Sequence, residues 1–314
     1  MSHSRKIFFS PIICNYLTHS AREKLVINKE LSGVVLAAGL SGFDEIWNYP
    51  ETEIIKKKDN RSVGRIDLNC SGPFLKKPYP AHNGQAPFFI KKHSESLNLC
   101  QRAGLIEPPG EGLREFYNYC DLRKKGLATA LPVAGGMKRN SSTIKSFIVT
   151  MDFSPLYPLE EVIINQPERL ISRDNRKKRR RILKSIAGYA RRMHRQGVNQ
   201  KDFNATHLLL DDSDSPEPII ALFDLQHIDR RKISSFRWPV KALAELNVSL
   251  PRSIFSEEDR FFLFYSYKGK IRLSFFDRIQ YTWMVRKTAR IQRHVLKNNL
   301  APKYNRPAYS PDKR

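Results

Sequence analysis

The chain has no apolar run long enough to cross a bilayer. Its longest weakly polar stretch, Leu31 to Phe43, is short and carries glycine and serine throughout. A spanning helix needs about 20 apolar residues, so that class is excluded. Cysteine is scarce as well. Cys14, Cys70, Cys100 and Cys120 form no CxxC pair and have no histidine at metal-ligand spacing. A zinc site and a disulfide framework are therefore not expected, and the four are read as reduced structural thiols. There is no GxGxxG fingerprint. Acidic residues are few: 31 Asp and Glu stand against 55 Lys and Arg, for a net charge of +24. Such a chain associates with something anionic, whether nucleic acid, an acidic membrane or a phosphorylated glycan. No aromatic-interleaved stacking platform accompanies the cations, which weighs against nucleic acid. Met1 to Leu17 imitates a signal peptide, but Pro11 interrupts it and no small-x-small site follows. It is not read as one. The expected location is cytoplasmic, with membrane contact only through the surface.

What is present is enough for a sizeable core. Hydrophobic residues make up 40% of 314 positions, room for one large domain or two lobes. Residues 1–50 are set apart as an N-terminal extension, with helical turns around 20–31 and a loop from Gly39 to Tyr49. From Glu51 the pattern changes to short strands, Thr52–Ile55 and Val63–Leu68, around the turn-like KKKDNR. A Pro- and Gly-rich insert, Ser71 to Pro87, precedes a strand that ends in a cation, APFFIK. Leu113, Phe116, Tyr117 and Cys120 share one face of a helix over Gly112–Lys125, which Gly126 stops. SFIVTM, Ser146–Met151, is a further strand. Beyond a proline-bearing linker the chain turns helical. Over Arg176–Arg195, Ile182, Leu183, Ile186, Ala187, Ala190 and Met193 line one face, with Arg and Lys opposite. Further helices are expected at Val240–Asn247, Glu257–Tyr267 and Phe275–Lys297. The order favours two lobes with a cleft between them: 51–152, then 153–299, with a disordered tail at 300–314.

The chemistry concentrates between Met193 and His227. Asp202 follows a tight polar turn, and His207 precedes the apolar triplet Leu208–Leu210. A second apolar run, Ile219–Phe223, then delivers Asp224. Two acids at the ends of short strands suit phosphoryl transfer, in which one accepts a hydroxyl proton and the other holds magnesium on a nucleoside triphosphate. Lys91 closes its strand and can reach the nucleotide phosphates. Phe89 and Lys91 share a face, and Glu115 on the following helix can pair with the lysine. His207 falls where a second metal or phosphate contact would lie. Gly64, in RSVGR, can let a strand turn approach the phosphates.

These residues resemble the lipopolysaccharide kinase InaA family. The resemblance runs over roughly residues 50–297 through NRSVGRIDL, FFIKKH, LREF, ARRMHRQGVNQKDFNATHLLL, FDLQHIDR, RWPVKALAEL and SEEDRFFLFY. It implies an α+β, protein-kinase-like two-lobed fold, with a small antiparallel N-lobe carrying one helix and a mostly helical C-lobe. It implies an ATP- and Mg2+-dependent kinase that phosphorylates heptose or Kdo of the lipopolysaccharide core. The implied roles are Lys91 for nucleotide contact, Glu115 as its partner, Asp202 as catalytic base and Asp224 as metal ligand. His207 stands where ordinary kinases place asparagine. The acceptor would be a core glycolipid, met peripherally at the inner face of the cytoplasmic membrane. The basic run at 173–184 is either a solvated helix face or a contact for that anionic surface. The family usually carries His-Arg before the catalytic aspartate, where this chain has Gln200-Lys201. Two alternatives stay open: a protein or small-molecule acceptor on the same scaffold, and a degenerate kinase that binds nucleotide without turnover.

Overall fold

The computed structural model describes residues 8–69, 85–103, 105–107, 110–171, 175–211, 217–230 and 236–298. Most of the Pro- and Gly-rich insert and the tail from residue 300 lie outside them. The chain divides into two compact units, Met1–Ser154 and Pro155–Arg314.

The first unit is built on a sheet. Its strands are β1 (Cys14–His19), β2 (Glu23–Asn28), β3 (Glu53–Lys58), β4 (Arg61–Asn69), β5 (Gln85–Ser96), β6 (Pro132–Arg139) and β7 (Thr143–Met151). They pair antiparallel in the order β1-β2-β6-β7-β5-β4-β3. Four helices accompany them: α1 (Ser32–Ala37), α2 (Phe43–Trp47), α3 (Leu99–Arg102) and α4 (Glu111–Lys124). Alternation along β5 separates two faces. Phe88 and Ile90 are buried in a core with Leu25, Val35, Phe43 and Phe147. Phe89, Lys91 and His93 take the other face, against which α4 packs.

Helix α4 buries Leu113, Phe116, Tyr119 and Leu122, the three-residue spacing of an apolar stripe. Its start is fixed by close approach to the sheet. A Cβ on Gly112 would lie 2.6 Å from the Phe147 Cα, so only a hydrogen fits there. The Gly112 N–H donates to Ser146 Oγ at 3.0 Å. This sets the helix register against β7.

The first unit departs from the sequence reading in three ways. Residues 23–28 form a strand, not helical turns, and with 14–19 they extend the sheet beyond the expected boundary at 50. The run Leu25-Val26-Ile27 is buried at every position, so it has no alternation by which to declare itself. Phe43–Trp47 is a helical turn where a loop was expected, anchored by burial of Phe43 and Ile46. The unit therefore carries more than the one helix expected of it.

The second unit holds β8 (Leu156–Pro158), α5 (Leu159–Asn165), α6 (Glu168–Ile171), α7 (Arg176–Arg195), β9 (Val198–Gln200), β10 (Leu208–Asp211), β11 (Ile220–Leu222), β12 (Ile228–Arg230), α8 (Arg237–Ser249), α9 (Glu257–Lys268) and α10 (Phe275–Lys297). The strands make a three-stranded ribbon, β11-β10-β8, and a pair, β12-β9. Helix α7 buries the six apolar residues that its periodicity marks, together with Tyr189 and His194. Much of its basic face is used inside the unit. Arg176 pairs with Glu258 at 2.7 Å, Arg179 with Asp259 at 3.3 Å, and Arg180 lies 5.0 Å from the Phe262 ring. Arg260 is buried and donates to the Asn247 and Leu250 carbonyls, both at 2.6 Å. It thereby caps the end of α8, whose last carbonyls lack helical partners. Helices α9 and α10 each open on a capping box, Ser256/Asp259 and Ser274/Asp277. No helix among the described residues is long and apolar enough to cross a membrane.

Candidate active site

In the first unit, Lys91 sits inside β5, paired with Val63 of β4 and Ile148 of β7. Its Nζ donates to Glu115 Oε2 at 2.8 Å, and the two side chains are 10% and 2% exposed. Sheet and helix each fix one end of this ion pair. The neighbouring Lys92 takes a different partner, Glu51, at 2.6 Å. Gly64 lies within β4, opposite Ile54 and Ile90, and not at the β3–β4 turn. A Cβ there would collide with the Glu51 carboxylate. The structure thus gives Gly64 a packing reason, to admit the carboxylate that holds Lys92, in place of the expected turn.

In the second unit, Asp202, His207 and Asp224 come together around the ends of β9, β10 and β11. Asn204 starts the one-turn helix Ala205–His207 by accepting from the Thr206 N–H at 3.0 Å. That turn brings His207 Nδ1 to 2.8 Å from the Asp202 carbonyl oxygen. A carbonyl only accepts, so Nδ1 is the donor in this contact. Nε2 lies 3.8 Å from Asp224 Oδ2. A histidine that donates one ring N–H to a backbone carbonyl and offers the other nitrogen is arranged as a metal ligand is. Asp224 is the one non-glycine residue with positive φ, +56°, among the described residues. Asparagine and aspartate tolerate this region better than other side chains, and here the backbone is also tied down. Gln200 Nε2 donates to the Asp224 carbonyl at 2.9 Å.

The Gln200-Lys201 turn is therefore integrated into the site. Gln200 is buried and pairs across β9–β12 with Ile228. The Lys201 N–H donates to the His227 carbonyl at 3.0 Å, and its ammonium pairs with Asp229 at 3.1 Å. A buried network behind the site gave no sequence signal. His194 Nδ1 lies 2.9 Å from the Tyr267 hydroxyl and Nε2 lies 3.1 Å from Asn199 Oδ1. Burial pushes this imidazole down to about 4, so it is neutral at physiological pH. Its five-residue spacing to Asn199 was visible in the sequence, but its partner Tyr267 lies on another helix.

In the second unit the Asp202 carbonyl and the Asp224 carboxylate thus meet at one histidine ring, with Asp224 held in the left-handed region. Residues 107–267, just over half of the chain, match the model of the lipopolysaccharide kinase (Kdo/WaaP) family. The chain belongs to that family. The lipopolysaccharide core heptose(I) kinase WaaP of Escherichia coli is 28% identical over 219 residues, covering 67% of this chain and 75% of that protein. The protein of the same name from Pseudomonas aeruginosa is 30% identical over 223 residues, covering 66% and 76%. A solved structure described as WaaP in complex with acyl carrier protein superposes with a TM-score of 0.59 at 21% identity. It covers 85% of this chain and 98% of its own, and it places the fold among the α+β kinases. As a lipopolysaccharide kinase, the chain is a sugar phosphotransferase. The family match contains Glu115, Asp202, His207 and Asp224 and stops before α10.

Proposed function

We propose that this kinase transfers the γ-phosphoryl group of ATP to a hydroxyl of a heptose, or of Kdo, in the lipopolysaccharide core. The observation that carries the reading is the junction of Asp202, His207 and Asp224 through the His207 ring. The Asp202 carboxylate receives the proton of the acceptor hydroxyl as it attacks, so the nucleophile is oriented and does not build up positive charge. The Lys91 ammonium neutralises the nucleotide phosphates, and Glu115 holds it in place. The heptose assignment follows the named relatives, which act on heptose(I).

Magnesium fits the residues present. The Asp224 carboxylate supplies the oxygen that a hard cation prefers, with phosphates and water completing its shell. Asp224 Oδ2 and His207 Nε2 would hold it. When bound, magnesium disperses charge on the transferring phosphates. Gln200 supports turnover over a degenerate kinase, because its amide supplies a hydrogen bond that keeps Asp224 in position.

The chain works as a peripheral protein on an anionic leaflet. Ile271, between α9 and α10, and Phe275 and Phe276, the first residues of α10, are 92%, 73% and 73% exposed. Lys270, Arg272 and Arg278 neighbour them in the sequence, Lys270 being paired with Asp277 at 3.0 Å. Exposed apolar side chains among cations lodge at an acidic lipid interface. The catalytic reading is tested by incubating purified protein with labelled ATP and core glycolipid lacking the phosphate. Asp202→Asn is expected to lower transfer by about 10^2- to 10^4-fold. Transfer at the wild-type rate would sink the assignment of Asp202.

A further inference from the structure

Helices α8 and α10 pack side by side and leave a groove of about 550 Å3 along their outer edge. Two half-exposed rings, Phe236 and Trp283, form one wall. Their centroids are 6.1 Å apart and their planes nearly perpendicular. Gln280 Nε2 donates to the Phe236 carbonyl at 3.0 Å, which fixes that end of the groove. Besides Arg237, four cations line the remainder: Lys241 on α8, and Arg286, Lys287 and Arg290 on α10. None of the four has an ion-pair partner among the described residues, in contrast to the basic residues of α7.

Helix α8, whose first turns line the groove, reaches the catalytic loop farther along its length. Helix α8 packs against β9 and the Ala205–His207 turn, and the Ala205 N–H donates to Ser249 Oγ at 2.9 Å. Glu245, one turn beyond Lys241, reports the neighbourhood electrostatically. Burial raises its pKa, Lys241 and Lys287 oppose the rise, and Asp202 adds to it. One carboxylate thus senses both the groove cations and Asp202.

Rings beside unpaired cations have a specific chemical complement. The CH faces of a pyranose lie on aromatic rings, and phosphates or carboxylates on the same saccharide take charge-assisted hydrogen bonds from Lys and Arg. A neutral sugar would leave four cations uncompensated, and an uncharged acyl chain would leave them facing hydrocarbon. We infer that the α8–α10 groove is the binding site for the acidic saccharide of the acceptor, holding its phosphate- or carboxylate-bearing sugars while the hydroxyl to be phosphorylated reaches Asp202. This rests on the reading of Asp202 as the group that receives the hydroxyl proton. Trp283 and Phe236 act as stacking faces. Lys241 and Lys287, next to Glu245, position the end of the saccharide nearer to Asp202.

The test is calorimetric titration of the full chain, without nucleotide, using deacylated core saccharide that retains its Kdo carboxylates and phosphates. Lys241→Gln/Lys287→Gln and Trp283→Ala are compared with wild type and with Asp202→Asn. All the groove changes are at the surface, and ADP binding serves as the control for folding. Each lost cation is expected to weaken saccharide binding about tenfold, with ADP binding unchanged. Binding that also weakens with salt and with phosphatase treatment of the saccharide supports the assignment. Groove variants that bind saccharide like wild type overturn it. So does a loss confined to an acidic carrier protein added as a second probe, which would make the groove a protein-docking face. Full turnover by Asp202→Asn would defeat the catalytic reading separately, because the titration judges the groove without chemistry.

Discussion

Replacing Glu115 by leucine would leave the Lys91 ammonium buried and short of its carboxylate. At 2.8 Å and an effective dielectric constant near 20, the attraction between the two charges is about 6 kcal/mol. Side-chain exposures of 10% and 2% mean that dehydration of both groups offsets most of it. The pair is then worth little relative to two apolar side chains, whereas removing one of the two leaves a buried charge less well compensated, at a cost of up to about 3–5 kcal/mol. Glu115→Leu and Lys91→Met should each be destabilised by up to that amount. Lys91→Met/Glu115→Leu should return closer to wild type than either single variant, since volume is kept and both charges of the pair leave together. Denaturant unfolding of the four proteins measures the coupling, and phosphate transfer is assayed on the same samples. The double variant is expected to fold and to be inactive. If the two single costs simply add in the double variant, the buried pair is not an energetic unit and the reasoning fails.

Three further outcomes follow from the second unit. Gln200→Leu removes the donor to the Asp224 carbonyl, so magnesium affinity or turnover should fall about 10–100-fold while stability changes by only about 1–2 kcal/mol. Gln200→His should recover activity, and a wild-type magnesium dependence in Gln200→Leu would refute the role. His194 protonates below about 6.5 when unfolded and below about 4 when folded, so between these values the unfolded chain binds the extra proton. Its contribution is complete above pH 6.5 and is lost as pH falls toward 4, a change of about 3 kcal/mol. His194→Gln should flatten that part of the stability–pH curve, and parallel curves would rule the effect out. Phe275→Ser/Phe276→Ser should release the protein from vesicles containing phosphatidylglycerol while leaving its melting temperature within a few degrees, as co-sedimentation and thermal unfolding would record. Unchanged sedimentation would remove the start of α10 from the membrane contact.

Helix periods and strand alternation were legible because they are local. The stripe from Ile182 to Met193 appears in α7 as written, and α4 begins within one residue of its expected start. The alternation that put Lys91 on the face of Phe89 holds in β5, and Lys91 meets Glu115 there. Buried runs with no alternation were not legible, which is why Leu25–Ile27 read as helix and residues 14–28 were not assigned to the sheet. Part of the basic run at 173–184 pairs within the unit, Arg176 with Glu258 and Arg179 with Asp259, partners that lie about 80 residues away on α9 and give no local signal.

Read along the chain alone, the order and spacing of Lys91, Glu115, Asp202, His207 and Asp224 already resembled a lipopolysaccharide kinase, and the family match over residues 107–267 bears out the family. How Gln200-Lys201 is built in appears only in three dimensions: the buried Gln200 amide donates to a carbonyl 24 residues away, a contact made possible when β9 pairs with β12. The left-handed backbone of Asp224, the contact of His207 Nδ1 with the Asp202 carbonyl and the cationic groove beside α10 arise in the same way. Each is a relation between groups that only long-range packing brings within a few ångströms of one another.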